Sequence, residues 1–145
     1  MTEKYINRII SVLYRYNQRF FSQKLAEHSL PLEVGQIPTL MQVYKHPGIT
    51  QEGISANAGI DKGTVAHVLK QLEKAGMVDR QTDTEDRRIN HIFATDKGLE
   101  CKEHIFQIIH ELHQVLYQDF QEAEIQVAMS ILERMKTNMK DYMKV

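Results

Sequence analysis

All seven glycines of this 145-residue chain lie between positions 35 and 98, while residues 1–30 and 99–145 contain neither glycine nor proline. Those two residue types are the strongest interrupters of regular structure. The ends of the chain are therefore free to form long helices. The middle must be built from short elements joined by turns.

The periodicity agrees. Over residues 4–28, Ile6, Ile9, Ile10, Leu13, Phe20, Phe21 and Leu25 recur at three- and four-residue steps, with Arg8, Arg15, Arg19 and Lys24 mostly between them. This predicts a first helix with an apolar face broader than one packing partner needs. Residues 97–119 and 122–143 predict two further helices, the last with Met135, Met139 and Met143 at four-residue spacing. Such a stripe suits an interior, and flexible thioethers also fill irregular subunit contacts.

Between them, residues 33–46 read as a helix with Pro38 in its first turns, where a missing N–H is tolerated, and Pro47-Gly48 as its stop. Thr50 is the expected N-cap of a short helix over 51–57, Asp61 that of a helix over 62–75. Gly76 stands at the left-handed C-terminal position. Two short strands, VDRQT and INHIFA, flank the polar DTEDRR and predict a hairpin, after which Thr95 caps the next helix. The expected fold is mainly α with a small β-hairpin wing: a winged helix-turn-helix lobe over residues 33–98, and a helical dimerisation region from residues 4–28 and 99–145, in one chain spanning 1–145.

In such a lobe the second helix presents its first turns to base edges in the major groove. Lys62, Thr64, His67 and Lys70 occupy those turns. Thr64 suits a thymine methyl or a hydrogen bond, and Lys62 suits guanine or phosphate. Thr50 and Gln51 open the preceding helix, where N–H groups meet phosphate. At the hairpin tip, which carries Arg87 and Arg88, one arginine is expected to enter the minor groove, with Asp86 supporting an arginine through a bidentate pair. The same pattern also fits a helical hairpin with a solvated loop.

Charge places limits on this. The chain has 18 basic and 19 acidic residues, net −1. A nucleic-acid binder without a basic excess must rely on where a few cations sit. No apolar run reaches the ~20 residues of a membrane span, and MTEKYINRII has no uninterrupted apolar core of a signal peptide, so a cytoplasmic protein is expected. The single cysteine, Cys101, excludes an internal disulfide framework. No nucleophile elbow, phosphate loop or HExxH motif is present, so no enzyme activity and no cofactor are expected.

Residues 47–98 resemble the MarR family of transcriptional regulators, including its SlyA-like branch. The resemblance rests on TQ with an apolar position in the first short helix, on LEKAGMVDR, and on DTEDRR followed six residues later by TDKG. It implies a homodimer whose first and last two helices interlock. Two winged lobes would then reach successive major grooves of a pseudo-palindromic double-stranded operator. It also implies repression relieved by a small phenolic or anionic aromatic ligand. Tyr14, Arg15, Tyr16 and Tyr44 are the candidate walls of such a cleft, although each taken singly better suits a core with a wet hydroxyl or, for Arg15, a solvent-facing side chain. Two departures stand out: Gly53, where a bulkier residue is common, and His67, where arginine is frequent. Peroxide-sensing relatives keep a cysteine in the first helix, which here has none; Cys101 beside Glu100 and Glu103 is expected to be inert. The alternatives are a zinc-responsive regulator using His104, His110 and His113, with His28 or His46 approaching from elsewhere, or a winged module for protein contacts.

Overall fold

The computed structural model describes residues 5–145. The helices are α1 (Ile6–Glu27), α2 (Ile37–Lys45), α3 (Gln51–Ala58), α4 (Lys62–Lys74), α5 (Asp96–Leu116) and α6 (Glu122–Met143). The strands are β1 (Ile49–Thr50), β2 (Val78–Thr82) and β3 (Asn90–Ala94). The first helix was expected from residue 4, which lies outside the described residues. The chain divides into two compact units, one ending at Ile109 and one spanning His110–Val145.

In the first unit the order of local signals becomes the order of elements. A 3-10 turn at Val34–Gln36 leads into α2, with Pro38 in its opening turn. Thr50 Oγ1 accepts the Gly53 N–H at 3.1 Å and starts α3. Gly59 ends α3 at φ +66°, a conformation that costs a residue with a Cβ and costs glycine little. Gly53, the departure noted above, has a local reason: a Cβ there would lie 2.9 Å from Ile49 Cγ1. Ile49 fills the volume that a larger residue would claim.

The sheet is antiparallel in the order β1-β3-β2. The hairpin pairs Val78 with Ala94 and Thr82 with Asn90. The third strand was not expected from the sequence. β1 is two residues long and pairs Ile49 with Ile92 and Thr50 with His91, so β3 is central. Two residues are too few to show an alternating pattern.

The core gathers one stripe from each element: Leu25 of α1, Leu40 and Val43 of α2, Ile54 of α3, Val65, Leu69 and Leu72 of α4, Ile92 of β3, and Ile105 and Ile108 of α5. Cys101 is buried among them. Its thiol is pushed up, first by burial and next by Glu100, which leaves it protonated and inert.

The exit of α4 and the entry of α5 are locked together. Lys97 Nζ donates to the Ala75 carbonyl at 2.7 Å, and the Thr95 hydroxyl donates to the Gly76 carbonyl. The first satisfies the carbonyl of the α4 C-cap and the second that of the turn residue after it. Thr95 N donates to Met77 O at 3.0 Å, and Thr95 Oγ1 accepts the Gly98 N–H at 3.1 Å. At Gly98 the chains touch so closely that a Cβ would lie 2.2 Å from the Met77 carbonyl oxygen. The Gly98 carbonyl in turn accepts the buried Tyr44 hydroxyl.

In the second unit α6 opens with a capping box between Gln121 and Glu124, and no α6 residue is fully buried. Met129, Ile131, Leu132, Met139 and Tyr142 are exposed along it. On α1, Ile6, Ile9, Ile10 and Leu13 are likewise exposed.

Gly98→Ala drives a methyl into backbone that cannot move without displacing α4. It should lower stability by about 1–3 kcal/mol, read as an earlier denaturant midpoint with an unchanged m-value.

Candidate nucleic-acid interface

The side chains expected to meet DNA sit at the start of α3, on the outer turns of α4 and at the hairpin tip. On α4, Val65, Val68, Leu69 and Leu72 face the core, whereas Lys62, Thr64, His67 and Lys70 are exposed. The helix begins where Asp61 caps it. Asp61 Oδ1 accepts the Thr64 N–H at 2.9 Å, and Oδ2 accepts the Thr64 hydroxyl at 2.7 Å. The hydroxyl of Thr64 is thus already donating within the protein, and its methyl and remaining lone pair are what it can offer outward. These bonds hold the Asp61 carboxyl below its ordinary value, the Thr64 hydroxyl contributing most.

The α3 entry lies beside the α4 entry. Gln51 Nε2 reaches the Lys62 carbonyl at 3.5 Å, and Lys62 Nζ pairs with Glu52 at 3.2 Å, both side chains well exposed. An exposed pair of this kind is worth little and opens readily for a stronger anion. Thr50 and Gln51 therefore join Lys62 on one surface, although the Thr50 oxygen is also engaged in its cap.

At the hairpin tip Asp86 grips Arg88 in a bidentate pair: Nε donates to Oδ1 at 3.0 Å and Nη2 to Oδ2 at 2.9 Å. The pairing lowers the Asp86 carboxyl and raises the Arg88 guanidinium from their ordinary values. Arg88 is nonetheless 90% exposed, so the fork is fixed while one face stays open. Arg87 beside it is exposed.

The tip also holds residues the sequence reading passed over. His91 of β3 bridges the Gly48 carbonyl and Asp83 Oδ2, each at 2.8 Å. The signal was present as the first aspartate of DTEDRR and the histidine eight residues later. Only the pairing of β2 with β3 brings the two together.

The four candidate cleft residues differ in burial and in partners. Tyr44 is buried, with its hydroxyl on the Gly98 carbonyl and its phenol pushed up by burial. On α1, Tyr14 and Tyr16 are exposed; Tyr14 Oη accepts from Gln18 at 2.6 Å and Arg15 donates to Ser11 at 2.9 Å. The cation near Tyr44 is instead Lys102 of α5, whose Nζ lies 5.8 Å from the ring centroids of both Tyr44 and Phe106. Of the histidines, His104 lies edge-on to His28 at 5.7 Å and His113 stacks on Tyr117 at 5.1 Å. Among the described residues no group of three or more His, Cys, Asp or Glu side chains is placed to hold a metal.

A capped, outward-facing second helix beside a tip with a fixed arginine is the geometry of a winged helix-turn-helix. Comparison with known proteins agrees. The MarR family profile matches residues 32–89. The crystal structure of a MarR transcriptional regulator from Methanosarcina mazei Go1 is 34% identical, covering 97% of this chain and 99% of that one, with a TM-score of 0.85. The chain belongs to the MarR family.

This MarR-family chain is also 32% identical to the transcriptional regulator SlyA, covering 95% of this chain and 96% of that one with a TM-score of 0.89. The S. aureus MepR–DNA complex is 25% identical, covering 94% of this chain and 99% of that one with a TM-score of 0.84. The family consists of DNA-binding transcriptional regulators, which sets the chain apart from enzymes. No described helix is long and apolar enough to cross a membrane.

The α4 cap gives a pH-dependent contribution of known sign. Because the folded Asp61 carboxyl lies below its ordinary value, the stabilisation is complete above that value, about pH 4, and is lost as pH falls through the lowered one. Asp61→Asn should flatten this acid limb of a stability-versus-pH curve measured by thermal unfolding.

Proposed function

We propose that this chain is a homodimeric repressor that binds a pseudo-palindromic operator. In this reading residues 33–98 form the DNA-binding lobe, and residues 4–28 and 99–145 form the dimer region. The observation that carries it is the separation of faces on α4: an apolar stripe inward, and Lys62, Thr64, His67 and Lys70 outward from a capped N-terminus. Small and polar side chains there allow the helix to enter a major groove and meet base edges. Thr50 and Gln51 take phosphate, and Arg87 and Arg88 take the adjacent minor groove.

Dimerisation is supported by what α1 and α6 leave uncovered. Large apolar side chains on both helices are exposed in the single chain. Apolar patches of that kind mark contact surfaces. Two-fold symmetry would set the two α4 helices about one DNA turn, ~34 Å, apart. Repression follows from occlusion of promoter DNA by such a dimer.

The effector is proposed to be a small anionic aromatic, and Lys102 is the residue we assign to it. A cation poised beside Tyr44 and Phe106 suits a carboxylate on a flat ring. Such a ligand releases DNA by binding one spacing of the lobes better than another.

Two experiments test the reading. Replacing Arg87 and Arg88 with alanine should leave the protein folded, weaken operator binding and flatten the slope of log affinity against log salt, because fewer counterions are released when the two cations are gone. Unchanged affinity at matched salt would remove the wing from the interface. Deleting residues 123–145 should give monomeric or insoluble protein; a soluble dimer of the truncated chain in sedimentation would refute the assignment of the dimer region.

A further inference from the structure

The wing contains a chain of hydrogen bonds that begins in the body of the lobe and ends on an arginine. It starts at Gly48, which sits at φ +86° with its N–H donating to Ile92 O at 2.9 Å. The Gly48 carbonyl lies 2.8 Å from His91 Nδ1, and His91 Nε2 lies 2.8 Å from Asp83 Oδ2. The other Asp83 oxygen accepts the N–H groups of Glu85 at 2.8 Å and Asp86 at 2.9 Å, folding the tip into an Asx turn. Asp86 then receives Arg88 through the bidentate pair and through the Arg88 backbone N–H at 3.0 Å.

The two neighbours of His91 are a carbonyl and a carboxylate, and both only accept. A neutral imidazole has a single N–H and can serve one of them. The imidazolium serves both at once.

We propose that His91, as the imidazolium, is a positioning residue for DNA binding, tying Asp83 to the Gly48 carbonyl so that Asp86 holds Arg88 in the orientation that meets the duplex. The proposal rests on the reading of the wing as a DNA contact.

The electrostatics run the same way. The hydrogen bond to Asp83, and next the Gly48 carbonyl, raise the His91 ring from its ordinary value, and Asp83 is held down at about 2, chiefly by His91. From β1 the residue opposite His91 is Thr50, which is uncharged. From β2 it is Gln81, with Asp79 on the same sheet face, while Arg80 alternates to the other face and pairs with Glu73 at 3.3 Å. Of the helices packed on β3, α2 carries Lys45 and Tyr44, the latter bonded to Gly98, and α3 carries Glu52, paired with Lys62. His46 precedes Gly48 in the turn, and besides Asp83 the tip adds Glu85, Asp86, Arg87 and Arg88. Asp83 is thus the anion in contact, and it stays ionised throughout the working range.

The sign follows. A raised histidine contributes fully below its ordinary value, about pH 6.5, and its contribution is lost as pH rises through the folded value. The wing is therefore held on the acidic side and released on the alkaline side.

Asp83→Asn is the discriminating variant. Its Oδ1 keeps the Asx turn, while its amide N–H donates to a neutral Nε2, preserving contact and removing the need for the second ring proton. In ring-nitrogen NMR of the full-length chain, wild-type His91 should keep both protons to a higher pH than His91 in D83N. Identical titrations would overturn the proposal.

The DNA arm uses a duplex selected from a random-sequence pool by the His67→Gln chain itself, so that the exposed histidine of α4 is absent and the duplex is one this background binds. Affinity should fall about tenfold as His91 deprotonates, the low end of the worth of one charge-assisted hydrogen bond. H91Q should bind weakly with no such fall, and in the Arg88→Ala background the fall should vanish. Binding that R88A weakens but H91Q leaves intact would overturn the role of His91 alone. Failure of the wild-type chain to select or bind any duplex would overturn the DNA reading and this role together.

Discussion

The carbonyl of Met77 is the point on which the lobe is built. It leaves the end of α4 just as the chain turns into β2, and α5 passes it at a distance that only a glycine permits. Around that contact Thr95 and Lys97 satisfy the carbonyls of the two residues that follow α4, and Tyr44 ties α2 to Gly98. The angle of α4, the start of the hairpin and the direction of α5 are therefore set together. An error there would move α4 and the hairpin as one. It also gives physical sense to two pieces of sequence some twenty residues apart, KAGM and TDKG. They are the two halves of one joint, the first supplying carbonyls and the second the donors and the missing Cβ.

Much of this was legible from local chemistry. Thr50, Asp61 and Thr95 announce helix starts because a short oxygen-bearing side chain satisfies N–H groups that a helix leaves open, and each does so here. Gly59 and Gly76 announce helix ends by the backbone conformation they permit, and both have positive φ. What was not legible depended on partners distant in sequence. β1 is too short to carry a pattern and exists because β3 has a free edge beside it. Tyr44 was read as a cleft wall because a tyrosine on an apolar face serves a core or a cavity equally well. Its partner, a backbone carbonyl 54 residues away, has no signature in the sequence. Lys102 has no signature for the same reason, since a lone lysine on a long helix gains meaning only from the rings beside it.

The near-zero net charge looks at first like an argument against DNA, and the placement of the carboxylates resolves it. Glu52 sits on Lys62, Asp86 on Arg88, and Glu73 on Arg80. These carboxylates lower the general attraction of the lobe for phosphate, which is the sequence-independent part of DNA affinity. What remains favours sites where several contacts form together.

The pairs differ in what they do to a side chain before DNA arrives. Lys62 and Glu52 are flexible, single-contact partners, both largely exposed, and their bond limits Lys62 hardly at all. Arg88 is held by two parallel bonds from a carboxylate that is itself fixed by the tip turn. A guanidinium so held has already given up its rotational freedom, so that inserting it into a groove costs less ordering entropy than a free arginine would. On the proposed reading of the wing, the same carboxylate that reduces its net positive charge prepares Arg88 for that contact. An acidic tip sequence and a DNA-contacting tip are consistent once the aspartates are understood as the arginine's scaffold.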